Sequence, residues 1–243
     1  HEERGFLMKK VTDLNAIKDI TKTMLYLTPK PTEFPFIINH PIFQSPYWGE
    51  GDNLYNIMES EEWLQKARLA YEDRIDRTDT PLLLMYVCRS AYYLTFLKMT
   101  RNHWAADDFA EALSMAWIEE ENPNGDVNVP VSLSAKWFRE ANKEALMELD
   151  EFEKYLSLPD AFKVYRGVAT GRNPDGMSWT DNFESAEWFA KRFRNDGYII
   201  EGIADKKNVL AYFSRRNEDE VLIPADMVRD KRIIKLTEDL IAV

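Results

Sequence analysis

The chain has 243 residues, of which 45% are hydrophobic and 13% aromatic, and its formal net charge at pH 7 is −11. This apolar content is sufficient for a hydrophobic core and excludes an intrinsically disordered chain. The longest apolar run, Pro81 to Cys88, is far shorter than a membrane span, and no secretory signal pattern is present. We therefore expect no contact with a membrane.

The charge is unevenly distributed along the chain. Residues 1–160 contain 17 basic and 28 acidic residues, whereas residues 161–243 contain 14 of each. The acidic part is not expected to bind nucleic acid. Basic clusters at 191–194, 206–207 and 215–216 could contact a phosphate backbone. A solvated surface of mixed charge is the simpler explanation of each cluster taken alone.

Cysteine and histidine are scarce. The single cysteine, Cys88, lies in an apolar run and is expected to pack in the core, which suits a reducing, cytoplasmic location. The three histidines, His1, His40 and His103, lack the spacing of metal ligands. We therefore predict no metal site.

Helical periodicity dominates the first 158 residues. Helices are predicted within 1–28, from the capping Ser60, from Thr80-Pro81, over 104–121 and over 134–156. Between the first two lies a proline-aromatic segment, residues 29–48, with five prolines and five aromatic residues. An ordered connection that wraps its own domain explains this segment best, and a docking strip for a partner is the alternative.

After Pro159 the periodicity changes from 3.6 residues towards 2, as expected for strands. Strands are predicted at 162–168, 177–180, 198–204, 208–214, 219–223 and 231–236, with one helix at 185–195. The pattern indicates an α+β chain, with a helical N-terminal lobe packed on a mostly antiparallel β core. The corresponding domains are 1–158 and 159–243, which can also form one cooperative unit.

Three short motifs stand out in the β-rich part: Val164–Gly167, Met177–Thr180 and Asn217–Pro224. Alternation along a strand places Ser178 and Thr180 on one face. In the same way, Glu218 and Glu220 share a face, roughly 6–7 Å apart at a rise of ~3.3 Å per residue. Such a pair of carboxylates, partly desolvated, can separate a permanent anion from a proton acceptor.

Arg166 falls on the apolar face of its strand, together with Val164 and Val168. A guanidinium is costly there unless an anion pairs with it. A buried ion pair with a carboxylate such as Glu220 would explain it structurally, and contact with an anionic ligand would explain it functionally.

In this order, the three motifs resemble those of the R-S-E class of mono-ADP-ribosyltransferases, and especially the Ser-Trp-Thr variants of phage and bacterial toxin-like proteins. The matching residues are Arg166, Ser178 with Thr180, and Glu218 with Glu220, and the resemblance covers about residues 160–236. It implies an ADP-ribosyltransferase-like β core, NAD as co-substrate and transfer of ADP-ribose to a macromolecular acceptor.

The resemblance also implies roles in the reaction. Breaking the bond to nicotinamide leaves an oxocarbenium-like ribosyl cation, as in glycoside hydrolysis. Glu220 would hold the ribose hydroxyls and stabilise this positive charge. Ser178 would orient Glu220, and Glu218 would align or deprotonate the incoming nucleophile.

Further residues would contact NAD. Arg166 would bind phosphate or ribose through its planar fork, and Thr180 would support the serine strand. Gly167 would allow the backbone to approach the nicotinamide amide. Phe183 and Tyr165 are both candidates for stacking on the nicotinamide ring.

The acceptor and the biological role remain open at this point. By the resemblance, a glutamate at residue 218 implies transfer to a guanidine-like nitrogen, chiefly that of arginine in a protein. A guanine-type base in RNA or DNA presents a similar N–C–N geometry, and water as the acceptor would make the protein an NAD glycohydrolase. The resemblance implies a toxin, a defence effector or a phage factor. The charge asymmetry and the proline-aromatic segment suggest a neutralising, antitoxin-type partner. The alternative to an enzyme is a catalytically silent interaction protein with the same fold.

Overall fold

The computed structural model describes residues 10–192, 197–215 and 218–236. The chain forms two compact units, His1–Glu121 and Asn122–Val243. The predicted boundary, between residues 158 and 159, falls inside the second unit.

The first unit is mainly helical, as its periodicity predicted. Its helices are α1 (Leu14–Leu25), α2 (Glu61–Arg77), α3 (Pro81–Met85), α4 (Tyr93–Thr100) and α5 (Ala106–Glu119). Three of them begin at a capping side chain that accepts a backbone hydrogen bond: Asp13, Ser60 and Thr80. The buried rings of Phe96, Trp104 and Phe109 pack edge to face in the core of this unit.

The proline-aromatic segment is an ordered connection. It contains strands β1 (Lys30–Pro31) and β2 (Ile38–Asn39), which pair with each other, and it leads into the hairpin of β3 (Tyr47–Glu50) and β4 (Asn53–Asn56). Arg89 ties the segment to its unit by donating to the carbonyl oxygens of Ile38 and His40, at 2.9 and 3.3 Å.

The imidazole of His40 is buried within this segment. Its Nδ1 accepts hydrogen bonds from the backbone N–H groups of Ile42 and Phe43, at 3.1 and 3.0 Å, and its Nε2 lies 3.2 Å from the carbonyl oxygen of Leu27. Two backbone donors on Nδ1 require the neutral ring with the proton on Nε2. Burial lowers the pKa of His40 to about 4.

This pKa predicts acid sensitivity of the first unit. The unfolded chain binds the His40 proton below pH 6.5 while the folded chain does not, so stability present above pH 6.5 is lost as the pH falls towards 4. The loss is about 1.4 kcal/mol per pH unit. His40→Asn keeps an acceptor for the two N–H groups but cannot titrate. The free energy of unfolding, measured with urea, should therefore fall less between pH 7 and pH 5 in the variant than in the wild type. An equal fall in both proteins would contradict the lowered pKa of His40.

The second unit begins with three short helices, α6 (Val131–Glu140), α7 (Lys143–Leu146) and α8 (Leu149–Ser157). The prediction of one continuous helix over 134–156 is therefore wrong. Two new N-termini interrupt it: the Asn142 side chain accepts from Glu144 N–H, and Glu148 and Glu151 form a capping box. Leu149, the first residue of α8, is 75% exposed.

In the rest of the second unit, the described residues form a six-stranded antiparallel sheet with one further α-helix, α9 (Phe183–Lys191). Its strands are β5 (Ala161–Val168), β6 (Ser178–Thr180), β7 (Tyr198–Asp205), β8 (Ala211–Phe213), β9 (Glu220–Leu222) and β10 (Val228–Lys235). Their order is β10-β7-β5-β6-β9-β8, and every neighbouring pair is antiparallel. The prediction of an α+β chain with a mostly antiparallel sheet is confirmed.

Helix α8 is joined to the end of β8 through one buried carboxylate, which explains why it belongs to the unit of the sheet. Glu151 is fully buried and accepts hydrogen bonds from Ser214 N–H at 2.9 Å and from Arg215 Nε at 3.2 Å. A buried carboxylate needs such partners to offset its lost hydration. The periodicity of a helix cannot reveal a bond of this kind.

Helix α9 lies directly on β5 at Gly167. A Cβ atom at Gly167 would lie 2.0 Å from the carbonyl oxygen of Ala186 and 2.7 Å from the backbone nitrogen of Ala190. No side chain fits at those distances, so glycine is required for the helix to approach the strand. Ala186 and Ala190 form a buried cluster there with Ile199 of β7.

We expect Gly167→Ala to push α9 away from β5 and to lower the free energy of unfolding by about 1–3 kcal/mol or more. The matched control is Gly49→Ala in β3, where a Cβ atom would meet only the Leu54 side chain at an ordinary 3.8 Å. Thermal unfolding of both variants measures the difference. Equal midpoints would refute the close approach of α9.

Candidate active site

The three motifs lie on strands that are neighbours in the sheet. Strand β6 pairs with β5 on one side and with β9 on the other. The register aligns Tyr165 with Thr180, and Thr180 with Glu220. Residues that face each other across antiparallel strands point to the same side of the sheet. Tyr165, Thr180 and Glu220 therefore form a row across three strands, and alternation adds Ser178 to the same face.

The acidic motif follows the predicted alternation. The carboxylate of Asp219 accepts a hydrogen bond from the hydroxyl of Tyr212 at 2.8 Å, and Tyr212 is aligned with Val221. Asp219 therefore lies on the face of Val221, opposite to that of Glu220. Glu218 lies in the partly exposed stretch just before β9.

The Arg166 side chain holds the loop that leads into β6. Its guanidinium donates to three backbone carbonyl oxygens: Nε to Pro174 at 3.2 Å, Nη1 to Ser178 at 2.6 Å and Nη2 to Asn173 at 2.9 Å. A Cβ atom at Gly176 would lie 2.3 Å from Nη2, so a glycine there makes room for the guanidinium.

Arg166 therefore does not share a face with the other motif residues. Alternation along β5 places its side chain opposite to that of Tyr165, and away from the side on which α9 approaches Gly167. Burial lowers the pKa of Arg166, and the carboxylates of Glu220 and Asp175 act in the opposite direction. The hypothesis of a buried ion pair with Glu220 is thus modified: three carbonyl oxygens bind the guanidinium, and Glu220 contributes electrostatically.

Ser178 has a partner that sequence reasoning missed. The amide nitrogen Nδ2 of Asn124 donates to Ser178 Oγ at 2.9 Å, and its Oδ1 accepts from Met177 N–H at 2.6 Å. Asn124 lies in the turn Pro123–Gly125, just beyond the helix predicted over 104–121. The two residues are 54 positions apart, so no local spacing could have revealed the contact.

The two aromatic candidates are in contact with each other. The rings of Tyr165 and Phe183 are perpendicular, with their centroids 5.4 Å apart. Phe183 is the first residue of α9, whose N-terminus is capped by Asn182. Thr180 Oγ1 in turn accepts from Asn182 N–H at 3.1 Å. An exposed aromatic edge thus borders the face that carries Ser178 and Glu220.

The close packing of α9 explains why residue 167 is a glycine. The space that a side chain would fill is occupied by the backbone of α9, and not open for a ligand. The predicted role of Gly167 in admitting nicotinamide is therefore not needed to explain the glycine.

The loop between β8 and β9, which carries Glu218, is anchored at its start. Besides Ser214 N–H, the buried Glu151 binds Arg215 through both carboxylate oxygens, at 3.2 Å to Nε and 3.2 Å to Nη2. Arg215 lies in one of the basic clusters considered for a phosphate backbone. Its charge is used within the protein instead.

Other basic residues of these clusters are also used internally. Lys191 forms an ion pair with Glu187 at 2.9 Å, and Lys206 donates to the carbonyl oxygen of Leu156. Arg194 and Arg216 lie outside the described residues. The contacts favour a surface of mixed charge over a nucleic-acid interface.

A cavity of about 440 Å³ lies elsewhere in the second unit. Its walls come from α6, the loop before β6, the turn after β9 and β10. The lining residues are Val131, Ser132, Ala135, Arg139, Asp175, Pro224, Ala225, Asp226, Met227 and Lys231. The predicted site residues are not among them, so this cavity does not help to locate NAD.

Within 10–192, 197–215 and 218–236, no three His, Cys, Asp or Glu side chains are grouped so that they could hold a metal ion. Over the same ranges, no helix combines the length and apolar character that crossing a bilayer requires.

No protein-family model matches this chain, and neither a curated protein nor a solved structure is significantly similar to it. The function of the site is therefore inferred from its own geometry and from the motifs.

Replacing Arg166 tests its structural role. A lysine ammonium cannot bind three carbonyl oxygens at the positions of the planar fork, so Arg166→Lys should leave partly buried acceptors unsatisfied and lower the free energy of unfolding by about 2–4 kcal/mol. Arg229→Lys is the control, because Arg229 is half exposed in a surface ion pair with Asp205 and should cost less than about 1 kcal/mol. The free energy of unfolding of both variants is measured with urea. An equal loss in Arg166→Lys and Arg229→Lys would contradict the structural role of Arg166.

Proposed function

We propose that this protein is a mono-ADP-ribosyltransferase of the R-S-E class, which transfers ADP-ribose from NAD to a macromolecular acceptor. One observation supports this most directly. The motif strands β5, β6 and β9, separated along the chain, are adjacent in the sheet, and their register brings Ser178, Thr180 and Glu220 to one face. The antiparallel sheet is compatible with an ADP-ribosyltransferase-like core.

The chemistry follows from the charges. When the bond between ribose C1′ and the nicotinamide nitrogen breaks, its electron pair leaves with nicotinamide, which departs neutral and needs no general acid. Positive charge remains on the ribose. A fixed carboxylate such as Glu220 stabilises that charge most in the transition state, where it develops, and so lowers the barrier.

The acceptor nitrogen then forms the new bond to C1′ and gives up a proton. In this proposal Glu218, which lies just before β9, aligns this nucleophile and accepts the proton. Tyr165 and Phe183 offer an aromatic edge for the nicotinamide ring. Arg166 acts through the loop that it holds, because its guanidinium donors already bind Asn173, Pro174 and Ser178.

Among the acceptors, protein arginine is favoured. A guanidinium is attracted to the paired carboxylates Glu218 and Glu220, whereas several basic residues that would contact nucleic acid are engaged internally. Such an activity suits a bacterial toxin or a phage or defence effector. A nucleic-acid base or water as acceptor is tested by the same assay.

The decisive variant is Glu220→Gln, which keeps the shape of the side chain and removes its charge. We expect NAD turnover to fall roughly 100- to 1,000-fold or more, because the lost interaction acts on developing charge. Release of nicotinamide and incorporation of labelled ADP-ribose into a bacterial lysate measure it. Protease and nuclease treatment of the product identify the acceptor, and unbound ADP-ribose indicates hydrolysis.

Two further variants sharpen this experiment. Glu184→Gln removes an exposed carboxylate from the first turn of α9 and should retain wild-type turnover. Glu218→Gln should reduce transfer more than nicotinamide release, because Glu218 is assigned to the nucleophile. Undiminished turnover by Glu220→Gln would refute the proposed role of Glu220.

A second candidate is a catalytically silent interaction protein. It is favoured by the hydrogen bonds of Arg166 and Ser178, which give both motif residues a structural task. NAD binding separates the candidates, since a ligand at 100 times its Kd stabilises the native state by about 2.7 kcal/mol. The absence of both a thermal shift at millimolar NAD and turnover would favour the silent protein.

A further inference from the structure

Asn124 makes two hydrogen bonds to the serine strand, and together they determine its orientation. Met177 N–H donates to one end of the Asn124 amide at 2.6 Å, and the other end lies 2.9 Å from Ser178 Oγ. A backbone N–H can only donate, so the end that faces Met177 must be the amide oxygen. The NH2 group therefore faces Ser178.

This orientation determines the direction of the serine hydroxyl. An amide NH2 can only donate, so Ser178 Oγ accepts from Asn124 through a lone pair. A hydroxyl has one proton, and this proton remains available for a different acceptor. Asn124 thus makes Ser178 a hydrogen-bond donor towards its other neighbours.

The acceptor that the sheet offers is Glu220. Ser178 is aligned with Leu222, and Glu220 lies two residues along the same strand, on the same face. Diagonal neighbours of this kind are about 7–8 Å apart, within reach of a long side chain such as that of a glutamate. A carboxylate is an acceptor only, so it is complementary to a serine whose proton is directed outwards.

The position of Asn124 is enforced by close packing. A Cβ atom at the buried Gly176 would lie 2.8 Å from Asn124 Cγ and 2.3 Å from Arg166 Nη2. Asn124 and Arg166 therefore both pack against Gly176, and both bind the segment that leads into β6. Alanine at residue 176 would displace either one.

We propose that Asn124 is a positioning residue for the reaction: it makes Ser178 donate its hydroxyl proton to Glu220 and so orients the carboxylate that stabilises the ribosyl cation. This inference rests on the proposed function, because it assigns Asn124 a role in the same site. Asn124 lies outside the segment that carries the motifs.

The test is Asn124→Asp, which has the same shape but two acceptor oxygens. One oxygen still accepts from Met177 N–H, while the other must accept the Ser178 proton and so reverses the hydroxyl. We expect kcat for nicotinamide release to fall about 10- to 100-fold, the effect of losing a hydrogen bond to a charged group, with a smaller change in the KM for NAD. Asn128→Asp makes the same change at an exposed position nearby and should retain activity.

A double-mutant cycle shows whether Asn124 acts through Ser178. If it does, Asn124→Asp should cause little further loss in a Ser178→Ala background, because the hydroxyl that it reverses is gone. The same fold-loss of kcat from Asn124→Asp in the wild type and in Ser178→Ala would overturn the proposal. Thermal unfolding verifies that each variant is folded, and Asn124→Ala replaces Asn124→Asp in the cycle if the latter does not fold.

Failure of this inference can be distinguished from failure of the proposed function. Wild-type turnover of NAD with an unaffected Asn124→Asp variant would overturn the role of Asn124 alone. No NAD turnover by the wild type would overturn the proposed function and, with it, the role of Asn124.

Discussion

The buried guanidinium of Arg166 is the interaction on which the candidate site depends. A planar cation with five N–H donors needs several acceptors when it loses water, and here backbone carbonyl oxygens of the segment 173–178 provide them. Because β6 has only three residues and follows this segment directly, the guanidinium positions the strand that carries Ser178. An arginine that the motif associates with a ligand is therefore also a structural support, and the two roles are compatible if the loop itself contacts the ligand.

Two further contacts fix the neighbouring parts of the site. One is close backbone packing, and the other is a set of hydrogen bonds to a buried carboxylate. Gly167 lets the backbone of α9 lie against β5, which places Phe183 beside Tyr165. Glu151, fully buried, binds the start of the loop that leads to Glu218. Glu220 thus extends from a sheet whose local geometry is fixed on both sides of the motif, and Glu218 lies just before its strand. Such preorganisation is what stabilisation of a developing charge requires.

A hydrogen bond from Asn124 also constrains the hydroxyl group of Ser178. The Asn124 amide is oriented by a backbone N–H that can only donate, and it passes that constraint on to Ser178. The direction of one proton is therefore set by a residue of a distant turn. The internal contacts of Lys191 and Arg215 reduce the basic surface available for nucleic acid, which makes a protein acceptor the simpler proposal.

Local patterns were enough to predict the strands of the second unit, the alternation that separates Asp219 from Glu220, and the mixed α+β character, because side-chain periodicity is a property of neighbouring residues. They did not predict the short strands β1 to β4 of the first unit. They failed for 134–156, where the caps at Asn142 and Glu148 outweighed helical periodicity. Strand order, the carbonyl partners of Arg166 and the contact between Asn124 and Ser178 depend on the tertiary structure alone. These contacts join residues far apart in the chain, and many partners satisfy a buried polar group equally well until packing selects one.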